Sequence, residues 1–401
     1  MRTILHSDCN NFYASVACVY HPELRGKPIA VCGDPQKRHG IVLAKSDAAK
    51  KCGVCTGETI WAAKQKCPDL MIIPPDGEKY VRFSHYLRSM YAEYSNQVEP
   101  FGLDECWLDV SGNERDGLEI AALLRRRAKQ ELGITLSVGV SFNKVFAKLG
   151  SDLHKPDATT VISPENYRQK IWPLPAEALL FIGRATTRRL HSYGLRTIGD
   201  IVHSSTEALR SMIGKGGDTL YAYAAGEDDT PVLPLNQTDD VKSIGNSTTP
   251  AFDIVDMGDA RRIISLLCDS VAERMRRSGV CCRTVTLGMR DTALHTTTHQ
   301  VKLSMPTDLS AALIRVGMQL LESRWSGAFP LRSMGIQGSD LISASACPSY
   351  SLIPNPFLLR QRALEQTADQ LRARFGKSAL YRGTQQTADV SSACPKRKEI
   401  I

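Results

Sequence analysis

A chain of 401 residues that is 42% hydrophobic and 23% charged has material for several cores and the composition of a globular protein, not a disordered or fibrous one. No apolar run is long enough to cross a bilayer as a helix, and MRTILHSDCNNFY turns polar after three apolar residues, so we expect no export signal and a cytoplasmic location. The net charge of +8 leans toward polyanionic partners without naming one, and twelve cysteines without a regular framework point to reduced thiols.

In chain order, Thr3 to Ser7 reads as a strand. Asn10 or Asn11 then caps a helix whose Phe12, Val16, Val19 and Tyr20 share a face, which leaves Asp8 at a strand-to-helix junction. Strands are predicted at 28–33 and 41–44, and a short helix follows with its stop at Gly53. A second short helix is ended by Pro68. An amphipathic helix is predicted over 78–97 and an apolar strand in FGLDECWLDV at 101–110. A helix and a buried strand come next, and another helix begins at Asn143. Strand and helix thus alternate over 1–165, the pattern of an α/β sheet with helical cover, and 31–78 has the size of a small subdomain. Residues 170–230 are helical and punctuated by glycine. After a polar linker the chain returns to mixed α/β, with a helix near 258–277, strands near 280–305, a helix near 308–325 and a strand near 332–342. One late helix is predicted to turn Leu364, Ala368, Leu371 and Phe375 to one side and to stop at Gly376. The final residues read as disordered.

The chemistry concentrates in FGLDECWLDV. Asp104 and Glu105 are adjacent in an apolar run, where two carboxylates repel each other and resist desolvation. Neighbours on a regular strand point to opposite faces, so both reach one place only where the chain turns, as at a hairpin tip. A solvated hairpin turn is the ordinary reading. Asp8, at the end of another strand, changes the balance, because three carboxylates converging at strand ends make a hard-oxygen site suited to Mg²⁺. Two such ions serve in-line phosphoryl transfer.

Four stretches taken together, SDCNNFYASVACVYHPELRGKPIAVCG, FGLDECWLDV, SVGVSFNKVFAKLGSDLHKPD and KSIGNSTTP, resemble the Y-family translesion DNA polymerases, nearest to the bacterial DNA polymerase IV group. The resemblance spans roughly residues 1–345. It implies an α/β multidomain right hand: a palm at 1–30 and 79–165, small fingers at 31–78, and a helix-hairpin-helix-like thumb at 166–232. A linker at 233–241, an α/β little finger at 242–345 and a tail with the late helix at 346–401 complete it. Asp8, Asp104 and Glu105 match the family's catalytic metal ligands for two Mg²⁺, with Cys9 contributing only its backbone carbonyl. Phe12 and Tyr13 match nucleotide-binding positions, Tyr13 being the steric gate against a ribose 2′-hydroxyl, and Lys155 matches a triphosphate contact. The pattern departs in SDAAKKCG: Asp47 and Lys50 stand where many members carry a tyrosine and an arginine, and Lys50 keeps the charge without the bidentate fork.

For DNA, the resemblance implies phosphate clips at Gly183, Gly214, Lys215 and Gly216, and a positive β surface that starts near Lys242. A sliding-clamp peptide is expected, in weakened form, at 349–353. The implied protein is a monomeric, nucleoid-associated polymerase of low fidelity and low processivity, taking primer-template DNA and deoxynucleoside triphosphates. A non-catalytic DNA-binding accessory on the same fold is the alternative, which three clustered acids argue against. Cys52 and Cys55 have zinc spacing but no second pair, and His6 has no companion that would make a histidine metal site.

Overall fold

The computed structural model describes residues 2–36, 38, 40–235, 237, 241–346, 356–376 and 379–383. Its described residues form two compact units, one within 1–33 and 41–238 and one within 34–40 and 239–397.

The first unit contains β1 (Ile4–Cys9), α1 (Phe12–Tyr20), β2 (Ile29–Cys32), β3 (Val42–Lys45), α2 (Asp47–Lys51), α3 (Ile60–Lys66), β4 (Met71–Ile73) and α4 (Gly77–Ala92). It continues with β5 (Val98–Pro100), β6 (Glu105–Asp109), α5 (Gly117–Arg127), β7 (Leu136–Ser141), α6 (Lys144–Leu153) and β8 (Thr159–Ile162). Five of the strands make one sheet in the order β5-β6-β1-β7-β8, and β2, β3 and β4 make a separate small sheet. All of β1 is buried, as a central strand covered on both faces should be. Leu5 and Cys9 turn toward the core shared with α1, α4 and α5, whereas Ile4 packs with Trp107 and Ala147 under α6. By strand alternation His6 and Asp8 therefore face α6, and so do their opposed partners Trp107 and Glu105.

The seating of α6 on the sheet is unusually close. A Cβ at Gly139 in β7 would lie 1.9 Å from the carbonyl oxygen of Ala147, and one at Gly150 in α6 would lie 3.1 Å from the Gly139 Cα. Only two glycines allow this approach, and it brings the polar side of α6 over the end of β1. The β5–β6 hairpin is held from behind. Glu99 in β5 takes both its oxygens to Lys144 Nζ at 2.7 Å and accepts the Leu233 N–H at 2.9 Å, while Gln97 Nε2 donates to the Val232 carbonyl at 3.2 Å.

Two details differ from the sequence expectation. The helix predicted to reach Gln97 ends at Ala92, because Ser95 draws its own turn: its Oγ donates to the Asp109 carbonyl and accepts the Gln97 N–H. The strands β4 and β5, three residues each, and β8, four residues, were not anticipated. Helices α7 (Tyr167–Ile171), α8 (Arg184–Ser192), α9 (Ile198–His203), α10 (Thr206–Ile213) and α11 (Gly216–Ala225) complete the unit around their own core of Leu190, Ile198, Ile201 and Leu209.

The second unit holds β9 (Ser243–Thr248), α12 (Met257–Arg277), β10 (Val280–Asp291), β11 (Thr296–Thr307), α13 (Ser310–Glu322), β12 (Leu331–Ser343) and α14 (Pro356–Phe375). Its sheet runs β11-β10-β12-β9, wholly antiparallel, with α12 and α13 packed on one face. The other face carries Thr284, Thr286, Ser333 and Gln337, with Arg290 and Lys302 among them. The late helix corrects the sequence reading more strongly. Leu364, Leu371 and Phe375 are exposed (69, 39 and 61%), and the buried residue is Glu365. The helix docks by charge: Arg276 Nη1 lies 2.6 Å from Glu365, and its Nε and Nη2 fork onto Asp369 at 2.7 and 3.0 Å. The clamp expectation at 349–353 falls outside the described residues.

Candidate active site

The adjacent acids of FGLDECWLDV sit where the chain turns. Glu105 is the first residue of β6, Asp104 belongs to the turn before it, and the Cys9 N–H donates to the Asp104 carbonyl at 3.1 Å, tying that turn to the end of β1. Asp8 and Glu105 are directly opposed in the β1–β6 ladder and share a face. Their carboxylates converge on one ammonium: Lys148 Nζ lies 2.7 Å from Glu105 Oε2 and 3.5 Å from Asp8 Oδ2. Lys155 Nζ lies 2.8 Å from the same Asp8 oxygen and 2.7 Å from Asp152 Oδ1. Of the three acids foreseen from sequence, Asp8 and Glu105 therefore meet, together with Lys155, and Asp104 adjoins them through its turn. Lys148 and Asp152 were not foreseen, although their spacing with Lys155 along KLGSDLHK carries the signal.

Charge in this cleft is unevenly compensated. Burial pushes Asp104 up to about 6, with Asp8 and Glu105 adding to the rise, and among the described residues no cation stands within ion-pair distance of it. Burial also raises Asp8, against the pull of Lys155. At Glu105 burial is outweighed by His6 and Lys148, and the carboxyl falls to about 2. Burial would lower Lys155, but Asp8 and Asp152 prevail and hold it at about 12. His6 is fully buried, its edge against Trp107, its Nδ1 2.9 Å from Ser151 Oγ and its Nε2 3.3 Å from Glu105 Oε2. Burial lowers it to about 4, so it is neutral at physiological pH. The Cys9 thiol is pushed well above its ordinary value by burial, consistent with a role for its backbone alone.

Do these residues suit divalent cations? Among the described residues, no three His, Cys, Asp or Glu side chains are gathered as a ready metal cage. The donor set itself fits. It offers three carboxylates on neighbouring strand ends, and Asp104, largely buried, lacks among the described residues a cation at ion-pair distance, a charge that a hard cation would bring.

Beside the acids, Asn11 adopts the left-handed conformation (φ 51°) and starts α1, where Phe12 is buried and Tyr13 half-buried. Tyr13 stacks on Tyr80 with ring centroids 4.0 Å apart and planes 15° apart. Asn11 Nδ2 donates to Asp47 Oδ1 at 3.0 Å, so the residue that departs from the family pattern does touch this junction. Lys50 lies exposed on α2, whose start is capped by Ser46. In the helical segment Gly183 is the N-cap of α8. Gly214 (φ 74°) and Lys215 lead into α11, of which Gly216 is the first residue, and neither helix start has a side-chain cap. Gly183, Gly214, Lys215 and Gly216 are exposed, as is Lys242 just before β9.

Comparison with known proteins agrees with this geometry. Residues 7–152 match the impB/mucB/samB family and residues 241–352 match that family's C-terminal domain. The chain belongs to this family, the Y family of the resemblance above. Among family members, DNA polymerase IV of Acetivibrio thermocellus is 45% identical over 95% of this chain and 97% of its own length. DNA polymerase IV of Pelotomaculum thermopropionicum is 36% identical over 96 and 95%. A solved Y-family DNA polymerase chimera, Dbh-Dpo4(243-245)-Dbh, superposes with a TM-score of 0.74 over 85% of this chain and 99% of its own, at 23% identity, and so shows the right-hand polymerase fold.

Proposed function

We propose that this protein is a template-directed DNA polymerase of the translesion type, extending a primer 3′-hydroxyl with deoxynucleotides. The observation that carries the reading is the convergence of Asp8 and Glu105 on one point with Asp104 in the adjoining turn, within a chain of this family. In this reading the five-stranded sheet is the palm, residues 31–78 the fingers, 166–232 the thumb and 242–345 the little finger, with 233–241 as linker. Asp8, Asp104, Glu105 and the Cys9 carbonyl would hold two Mg²⁺ ions, which would supply activation of the primer hydroxyl and charge neutralisation of the triphosphate. The chain's own groups do the positioning. Lys155, already beside Asp8, is placed to meet a phosphate, with Lys50 a weaker candidate. Phe12 and Tyr13 are the proposed nucleotide-side residues, with Tyr13, stacked on Tyr80, as the gate against a 2′-hydroxyl.

Gly183, Gly214, Lys215 and Gly216 offer uncapped helix starts to DNA phosphates, a contact without base preference. Lys242 adds charge at the second unit. Low fidelity and processivity follow from the small fingers and slight thumb. A monomer in the bacterial cytoplasm, at the nucleoid, is the setting proposed, consistent with no described helix being long and apolar enough to cross a membrane. Residues 349–353 are proposed as a weak clamp-binding peptide. The test is primer extension on a templated duplex with Mg²⁺. Asp104→Ala is expected to abolish extension while DNA binding survives; wild type that binds DNA but extends nothing would leave only an accessory protein.

A further inference from the structure

The cation standing between Asp8 and Glu105 in this structure is a lysine. Lys148 Nζ is 2.7 Å from Glu105 Oε2, 3.5 Å from Asp8 Oδ2 and 3.5 Å from Asp152 Oδ2, and its side chain is 14% exposed. We propose that Lys148 is a positioning residue that stands in for a divalent cation between Asp8 and Glu105, and that it passes to Asp152 when a cation arrives. This rests on the two-metal reading of the acids given above.

The argument is one of charge and reach. Asp8 and Glu105 are opposed across a ladder, a position where like charges repel, and both are partly desolvated. A single ammonium between them offsets that repulsion and keeps the pair together, though with half the charge of a divalent ion and a longer contact. For an ion to take that place, Lys148 must leave it, and a buried ammonium driven out without a partner would be costly. Asp152 supplies the partner. It lies one helical turn on, the i,i+4 neighbour of Lys148 on α6, and already stands 3.5 Å from its Nζ. Rotation about the lysine's own side-chain bonds completes the transfer without moving the backbone. The Asp152 side chain is 48% exposed, so pairing there returns Lys148 to a more hydrated position. Lys155, between Asp8 and Asp152, is the second cation of the same relay. The helix that carries Lys148 and Asp152 is fixed on the sheet at Gly139 and Gly150, so their reach is built in.

The proposal predicts competition between one side chain and the cation, read without catalysis. Full-length protein free of DNA and nucleotide is titrated with Mn²⁺, and unbound ion is measured by electron paramagnetic resonance. Lys148→Met should tighten Mn²⁺ binding about tenfold, or about 1.4 kcal/mol. Lys148→Gln should do the same if the Met variant folds poorly, and Lys148→Arg should bind no tighter than wild type. Asp152→Asn should weaken binding several-fold when Lys148 is present, and by less than half as much on a logarithmic scale in the Lys148→Met background. Unchanged or weaker binding in both neutral Lys148 variants overturns the proposal. So does an Asp152→Asn effect of equal size in both backgrounds, which a mere background field would give. Asp104→Asn separates the two readings. If it fails to remove Mn²⁺ binding from wild type, the metal site itself is misplaced. If it removes binding while Lys148 has no influence, only the stand-in role falls.

Discussion

Asp8 and Glu105 face each other across the β1–β6 ladder, with Lys148 closing the gap on one side and Asp104 left outside the ion pairs. An uncompensated, largely buried carboxylate makes the metal-free fold less stable than it need be. Asp104 titrates at about 6 in the fold against an ordinary 3.8. A raised value means its favourable contribution is complete below about 3.8 and lost as pH climbs through about 6. Asp104→Asn is therefore expected to melt higher than wild type in EDTA at pH 7.5, by the equivalent of about 1–3 kcal/mol. The difference should shrink toward zero as pH falls to 4. Added Mg²⁺ should stabilise wild type and not the variant. A variant that melts below wild type at pH 7.5 in EDTA would contradict this account.

The approach of α6 to β7 makes a second, purely steric prediction. A methyl at position 139 would meet the Ala147 carbonyl at 1.9 Å, and backbone on both sides prevents relief. Gly139→Ala is expected to cost at least about 3 kcal/mol in chemical denaturation, or to yield insoluble protein. Gly183→Ala, where nothing lies within 4 Å, should stay close to wild type and serves as the control.

Much of this was legible in the sequence, and the failures have physical reasons. The strand of FGLDECWLDV, the turn at Asp104 just before Glu105, and the strand-end position of Asp8 followed from alternation and local chemistry. The strands β4 and β5 escaped because three residues carry no period. Lys148, Asp152 and His6 escaped because their importance depends on which turn of α6 overlies β1, and Gly139 and Gly150 set that through tertiary contact. The late helix was turned the wrong way round. Its apolar stripe suggested the buried side, whereas Glu365 and Asp369 find Arg276, and ion pairing decided the docking.

In the proposed gate, Tyr80 would bear on sugar selection through Tyr13, on which its ring stacks. Its ring lies 4% exposed, flat against Tyr13, and such a stack contributes about 0.5–1.5 kcal/mol to fixing the partner's position. Tyr80→Leu keeps apolar volume but removes the stack. In the proposed gate, ribonucleotide insertion relative to deoxynucleotide should rise several-fold in single-nucleotide insertion assays, less than in Tyr13→Ala. Unchanged discrimination in Tyr80→Leu, alongside relaxed discrimination in Tyr13→Ala, would show that Tyr13 is held by other contacts.

Glu365 joins two helices of the second unit by a capping interaction that comes from a distant part of the chain. Its Oε2 accepts the Ser310 N–H at 2.9 Å and the Ser310 hydroxyl at 3.0 Å, at the start of α13, where Leu309 provides no side-chain cap. The same oxygen lies 2.6 Å from Arg276. Removing the acid exposes the first turn of α13 and leaves a guanidinium only 7% exposed with Asp369 as its remaining acid partner at ion-pair distance. Glu365→Leu should cost about 3–5 kcal/mol, because the desolvation of Arg276 is then only partly offset. Adding Arg276→Met should recover part of that loss, since the most buried charge is removed and only the more exposed Asp369 loses its partner. Hydrogen exchange gives the local signature: the amides of Ser310 and Ala311, and those along α14, should lose protection in Glu365→Leu while the β10–β12 ladder keeps its own. If α14 already exchanges freely in wild type, the helix is not docked as the ion pairs require.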